Sequence, residues 1–292
     1  MNKMKRWATT ALAVAMVAIA AVPVFADAVE GDVILSLGQN LTDSQREEMK
    51  KRFGAKEGDQ IIEVTNAEEH KYLGEFVPEA KIGSKAISSA KIEYTKPGSG
   101  IHVETSERIK FITDDMYRQA LETAGVKDAD ITVDSPVNVS GTAALTGIMK
   151  AYEITSGKKI SDSVKKVANQ EMVVTSDLAN DVGAEKAAGF VKEVKEQVAA
   201  NAPKSREEVQ SIIVNISNEY NLNLSEKQKE DLTDFFDRLR KTDIDWSGIA
   251  DKAKDAANQA KDYLGSEEGQ SMLMSIKNAI GRLIDWIASL FR

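Results

Sequence analysis

Strand and helix signals alternate along this chain to about residue 157, and beyond that point the strand signals stop. Asp32–Leu37 and Ile61–Thr65 are short apolar runs of strand type. Between them, Thr42-Asp-Ser-Gln45 has the form of a capping box, in which the Thr and Gln side chains satisfy backbone N–H groups at a helix start. That helix runs to about Phe53, and Gly54 ends it. A short helix follows near Ala67–Leu73. Lys85–Tyr94 and Ile101–Thr105 read as the arms of a hairpin around Lys96-Pro-Gly-Ser-Gly100, with Arg108–Ile112 as a further strand. Thr113-Asp-Asp-Met116 opens a helix that ends at Gly125, and Asp130–Val133 resumes the extended pattern. Ser140-Gly-Thr142 then begins a helix through about Thr155.

The remainder reads as helix throughout. Ser161–Ala199 is helical in pattern, with a break around Asp181–Ala184, and Asn201-Ala-Pro-Lys-Ser205 is a second break. Ser205-Arg-Glu-Glu208 and Ser225-Glu-Lys-Gln228 are capping boxes, each opening an amphipathic helix. Two more helices are expected over Ser247–Leu264 and about 269–292. The predicted fold is an α+β N-terminal domain over 27–157, followed by an all-α helical region over 158–292.

Residues 1–26 read as a signal peptide. Lys3, Lys5 and Arg6 precede an apolar run from Trp7 to Val22, Pro23 breaks it, and Val24-Phe25-Ala26 supplies small residues for cleavage. The apolar run is shorter than the roughly 20 residues of a spanning helix. Cleavage would leave 266 of the 292 residues and reduce 38 basic side chains to 35 against 46 acidic ones, a net −11. That balance argues against nucleic acid as a partner, which needs Lys and Arg against phosphate. The chain has no cysteine, which removes disulfides, thiolate metal sites and thiol nucleophiles. In an exported chain, cysteine absence fits a Gram-positive cell envelope.

A family resemblance rests on particular stretches. These are Val33-Ile-Leu-Ser-Leu-Gly38 with Leu41-Thr42 and Gln45, Ser88-Ser-Ala90, Gly98-Ser-Gly100 with Val103, and Tyr117 with Ala120-Leu121 and Ala124-Gly125. The most specific stretch is Val139-Ser-Gly-Thr-Ala-Ala-Leu-Thr-Gly147 with Lys150-Ala-Tyr152-Glu153. In these the chain resembles the YpuA-like family of exported Firmicute proteins of unknown function. The resemblance implies an extracytoplasmic location; it carries over no catalytic or binding residues.

Motifs with direct chemical meaning are few. Ser88–Lys91 and Ser163–Lys166 have the Ser-x-x-Lys spacing of penicillin-binding enzymes, but the Ser-Asp-Asn and Lys-Thr-Gly partners are missing. The glycines of Gly141 and Gly147 are six apart and no Lys-Ser/Thr follows, so the stretch is not a Walker loop. Ser140, Gly141 and Thr142 still form a candidate anion or small-ligand site at a helix start, against the simpler reading of a cap and close helix packing. Asp128, Asp130 and Asp134 carry oxygen ligands suited to calcium, but Val133 stands where an EF-hand loop needs glycine. The two histidines, His70 and His102, have no second histidine at ligand spacing.

The clearest amphipathic stripe lies at the C-terminus. Ile276, Ile280, Leu283, Trp286, Ile287, Leu290 and Phe291 fall within an arc of about 160° on a helical wheel. Lys277, Arg282 and Arg292 against Asp285 give residues 271–292 a charge of +2. The stripe suits either packing within a bundle or an oligomer, or contact with an anionic membrane surface. The sequence therefore points to an exported, non-enzymatic envelope protein acting by binding or assembly, with the last helix as the packing or attachment element. Two alternatives stand beside it: a cell-wall hydrolase using a carboxylate pair, and an anion or calcium binder through residues 128–147. No catalytic residue, metal ligand or cofactor is assigned.

Overall fold

The computed structural model describes residues 30–77, 79–247 and 249. The expected signal peptide at 1–26 and the helix at about 269–292 lie outside the described residues, as does nearly all of the helix expected over Ser247–Leu264.

Five strands, β1 (Val33–Gly38), β2 (Gln60–Val64), β3 (Ser89–Tyr94), β4 (Ile101–Thr105) and β5 (Ala129–Asp134), form one mixed sheet. Their order is β2-β1-β3-β5-β4, with β1·β2 and β4·β5 parallel and the two inner pairs antiparallel. The expected β3–β4 hairpin is therefore wrong: β5 lies between its two arms. The Lys96–Gly100 turn sends the chain across the sheet instead. Gly98 and Gly100, both at positive φ, donate their N–H groups to Asp128 Oδ1 at 2.9 Å, which fastens the turn to the start of β5. Arg108–Ile112 contributes only an isolated bridge from Ile109 to Val139, not a strand.

Register separates the two faces of the sheet. Ile34, Ile92, Ile131 and Val103 are successive cross-strand partners and belong to one core. That face is covered by α4 (Asp114–Thr123) and α5 (Thr142–Ser156), which bury Met116, Tyr117, Leu121, Leu145 and Ile148. The opposite face is apolar only under α1 (Asp43–Arg52), where Leu35, Leu37, Met49 and Phe53 cluster. Beyond β1 it turns polar, with Lys91, Thr132 and Glu104 in register. Gly147 explains how closely α5 rides on the sheet: a Cβ there would lie 2.0 Å from Ser36 Oγ. Two short helices, α2 (Asn66–Leu73) and α3 (Glu79–Ile82), complete the α+β domain.

Past Gly157 the described chain is helical: α6 (Asp162–Val182), α7 (Ala184–Asn201), α8 (Arg206–Glu219) and α9 (Glu226–Lys241). The architecture is α+β followed by all-α, as the patterning predicts. A second core gathers Phe190, Val194, Ile213, Phe235 and Phe236. Ser225 and Gln228 form a full capping box. At Ser205 only half of the box forms, because the Glu208 carboxylate accepts from the Lys204 N–H rather than from Ser205.

Helix α6 serves both cores, with Ala168 and Met172 in the first and Val167 and Leu178 in the second. A buried ion pair locks this arrangement. Lys195 Nζ of α7 lies 2.5 Å from Glu171 Oε1 of α6, with the two side chains 3% and 1% exposed. Thr123 of α4 donates to Glu171 Oε2, and Lys195 also donates to the Gln119 carbonyl and Thr123 Oγ1. Desolvation offsets much of the attraction in such a pair, while removing one partner leaves an uncompensated buried charge.

Candidate functional site

The first turn of α5 brings the most informative polar groups together. Gly141 is the N-cap, at φ +106°, and supplies no side-chain cap. Its carbonyl oxygen accepts a 2.6 Å hydrogen bond from the Tyr117 hydroxyl, and a Cβ at this position would strike that hydroxyl. Tyr117 is fully enclosed, and burial pushes its phenol far above the usual range, so it acts as a neutral donor. The missing cap comes from elsewhere in the chain: Ser88 Oγ accepts from the Ala144 N–H at 3.1 Å. That contact absorbs the Ser88 hydroxyl, while Lys91 turns to Glu93. The Ser163–Lys166 pair is likewise divided, with Ser163 beside Ser161 and Lys166 on Glu75.

A hydroxyl chain continues from this helix start into the protein. Ser140 Oγ lies 3.3 Å from Thr142 Oγ1, and Thr142 Oγ1 donates to Glu69 Oε1 at 2.9 Å. Glu69 is held on α2, which begins with a Thr65–Glu68 capping box and is tied to α5 by the 2.7 Å Glu68–Lys150 bridge. Asn66 Nδ2 reaches the second Glu69 oxygen at 3.3 Å. Burial pushes the Glu69 carboxyl up to about 7, outweighing the bonds from Thr142 and Asn66 and the nearby His70. A carboxyl raised this far by burial is unusual for a glutamate, and shifts of this kind cluster at working sites but also occur in structural networks.

Ser140 and Thr142 also line a cleft of about 300 Å³ between the two regions. Its walls are Val77 and Ile82 on one side, Ile112 on another, and Met172 and Val173 of α6 facing them. Ser176, Asp177 and Asn180 bring polarity from α6. Phe111 stands at the lip, 60% exposed, its carbonyl oxygen accepting from the Ser176 hydroxyl at 2.9 Å. A shallower groove of about 600 Å³ adjoins it, sharing Phe111 and Ile112 and adding Asp114, Asp115, Glu185 and Lys110.

The three aspartates singled out for calcium part company. Asp128 holds the glycine turn, and Asp134 binds Arg52 and Arg108 at 3.1 and 3.2 Å at the other end of β5. Six residues of strand separate them by about 20 Å. Burial works to raise the Asp134 carboxyl, yet bonds from Ser106, Arg108, Ser135 and Arg52 hold it below the usual aspartate range. Among the described residues, no three of His, Asp or Glu gather as metal ligands. His70 Nε2 lies 3.0 Å from the Gly83 carbonyl oxygen, and His102 is exposed on β4. The membrane- or partner-facing residues Ile276 to Phe291 lie outside the described residues.

Glu69, Phe111 and Asp177 carried no signal of their own in the sequence. The Thr65-Asn-Ala-Glu68 signature does mark the start of α2 and so the helix face that bears Glu69. Its partner Thr142 is 73 residues away, and no local pattern links the two.

The chain belongs to the family described as proteins of unknown function, DUF1002, whose model matches residues 37–256. It is similar to the uncharacterized protein YpuA of Bacillus subtilis (strain 168), with 41% identity over 267 residues, 91% of this chain and 89% of that protein. The YpuA-like resemblance read from the residues is borne out. No solved structure matches the chain.

Proposed function

We propose that the chain is an exported protein of a Gram-positive cell envelope that acts by binding or assembly, and that the cleft over Ser140 and Thr142 is where it binds. The observation that carries this reading is the make-up of the cleft. Its lining combines apolar side chains with a few polar groups and the exposed ring of Phe111, a composition common in ligand pockets. Sugar hydrolysis uses two carboxyl groups facing each other across the scissile bond. Among the described residues, Asp177 is the carboxylate that lines the cleft, and Glu69 is enclosed behind Thr142.

Export is supported by the basic start, apolar run and Val24–Ala26 cleavage pattern. Attachment is assigned to the C-terminal stripe of Ile276, Ile280, Leu283, Trp286, Ile287, Leu290 and Phe291, which carries the aromatic and cationic character of an interfacial helix. Truncation after Ser271 tests that role: envelope fractionation and binding to anionic liposomes should both be lost. Unchanged partitioning would remove the attachment role. Turnover of purified peptidoglycan by the full chain would overturn the binding reading as a whole.

A further inference from the structure

We propose that a groove of about 580 Å³ between α6 and α9 binds a neutral N-acetylated amino sugar, with the Gln170 side-chain amide pairing with the acetamido group. This goes beyond the reading above, because the groove is a second site apart from the Ser140 cleft. Val173 and Asp177 border both, but Phe76 lines the groove where its neighbour Val77 lines the cleft.

An unpartnered polar group carries the first step. Gln170 is 6% exposed and lines this groove, and among the described residues its Oε1 has no hydrogen-bond donor. A buried acceptor is costly to leave unpaired, so a site that presents one favours a ligand bringing a donor. The terminal torsion of a glutamine is broad, which lets the amide turn its oxygen toward the groove. Its Oε1 and Nε2 are then the complement of the N–H and C=O of a secondary amide.

The walls decide what else the ligand carries. Gln170, Val173, Val174, Asp177, Leu178 and Asp181 recur at steps of three or four and form one stripe of α6. Val173, Val174 and Leu178, with Leu232 of α9, give an apolar floor for a methyl group and the face of a sugar ring. Glu75 holds both Lys166 and Arg238, so Phe76 marks the end of the groove where Gln170 stands. Gln228, donating to Asp181, marks the other end. Between Gln170 and Asp181 the helix rises about 16 Å, room for two or three sugar rings.

The rim sets the charge. Lys227 meets Asp231, Asp234 meets Arg206, and Glu75 is shared by its two cations. Asp181 accepts from Gln228, and Asp177 has a partner of its own. A charged ligand would have to break such pairs, whereas hydroxyls both donate and accept and fit between them. A peptide offers the same amide without the row of hydroxyls.

The test is calorimetric titration of the full chain with triacetylchitotriose, cellotriose and N-acetyl-dialanine amide. The first two differ in carrying acetamido groups or hydroxyls at the same ring carbon. Triacetylchitotriose should bind about tenfold more tightly than cellotriose, the worth of one well-made hydrogen bond. Gln170→Leu should bring the two sugars to parity without lowering the thermal midpoint, because it removes an unpaired buried polar group. Phe76→Ala should weaken both sugars, and Phe111→Ala, in the cleft, neither. In the unaltered chain, the backbone amide NMR signals of Val173, Val174 and Leu178 should shift as triacetylchitotriose is added. Parity of the sugars in the unaltered chain, a preference that survives Gln170→Leu, or binding of the peptide in place of the sugars would overturn the inference. A thermal midpoint lowered by Gln170→Leu would do the same, by showing the amide already bonded. Sugar binding that depends on Phe111 and not on Phe76 would overturn the groove and leave the cleft reading standing. No binding of any probe would also overturn the groove, and the cleft reading does not depend on it.

Discussion

Replacing Glu69 with glutamine should change how stability depends on pH, in a direction that the buried site fixes. A carboxyl whose folded value is raised from 4.5 to about 7 keeps its proton in the native state over an interval where the unfolded chain has already lost it. Native chains then hold more protons than unfolded ones, so stability falls as pH rises from about 4.5 to about 7. The full loss, on the order of 3 kcal/mol, is reached above the folded value. Glu171 and Glu196 are raised by burial too and share that sign, so the wild-type slope is a composite. Asp134 and Glu68 are held low, and their contributions vanish only in more acidic solution. The difference between wild type and Glu69→Gln isolates the one group. Urea unfolding followed by far-UV circular dichroism, between about pH 5 and about pH 8, should show the variant gaining 2–3 kcal/mol on wild type, as an order of magnitude. Any constant offset reports the altered bonds to Thr142 and Asn66. A difference that stays flat across this interval would refute the enclosed, raised carboxyl.

Two further substitutions probe the frame that holds the cleft. Gly147→Ala places a methyl group against Ser36 and should cost about 1–3 kcal/mol by pushing α5 off β1. The same denaturant titration checks it, and a cost below about 0.5 kcal/mol would mean the helix does not ride as closely as described. Lys195→Met strands the Glu171 carboxyl between α4, α6 and α7 and should cost about 3–5 kcal/mol, most of it recovered in a Lys195→Met/Glu171→Leu double variant. A single variant as stable as wild type would remove the ion pair from the account.

What was legible in the sequence was local. Thr42 with Gln45, and Ser225 with Gln228, announced helix starts because both halves of a capping box lie within one turn. The change from mixed to helical architecture near residue 157 followed from strand patterning that ceases. The hairpin reading failed because a Pro-Gly turn between two apolar runs is the same local signal whether or not a later strand enters between them. β5 arrives after α4 and takes that place, and nothing in residues 85–105 foretells it. The same limit hid the site. Ser140 and Thr142 were visible as a helix start, but what distinguishes them from any other cap is Glu69 behind, Ser88 beside and α6 across the cleft. Those partners lie far off in the chain and meet only through packing.

The most direct measurement is a carbon-13 NMR titration of the Glu69 carboxyl in the full chain, assigned with Glu69→Gln. The account predicts a midpoint at about 7, because burial behind Thr142 disfavours the ionised form. A midpoint at the ordinary 4.5 would contradict it.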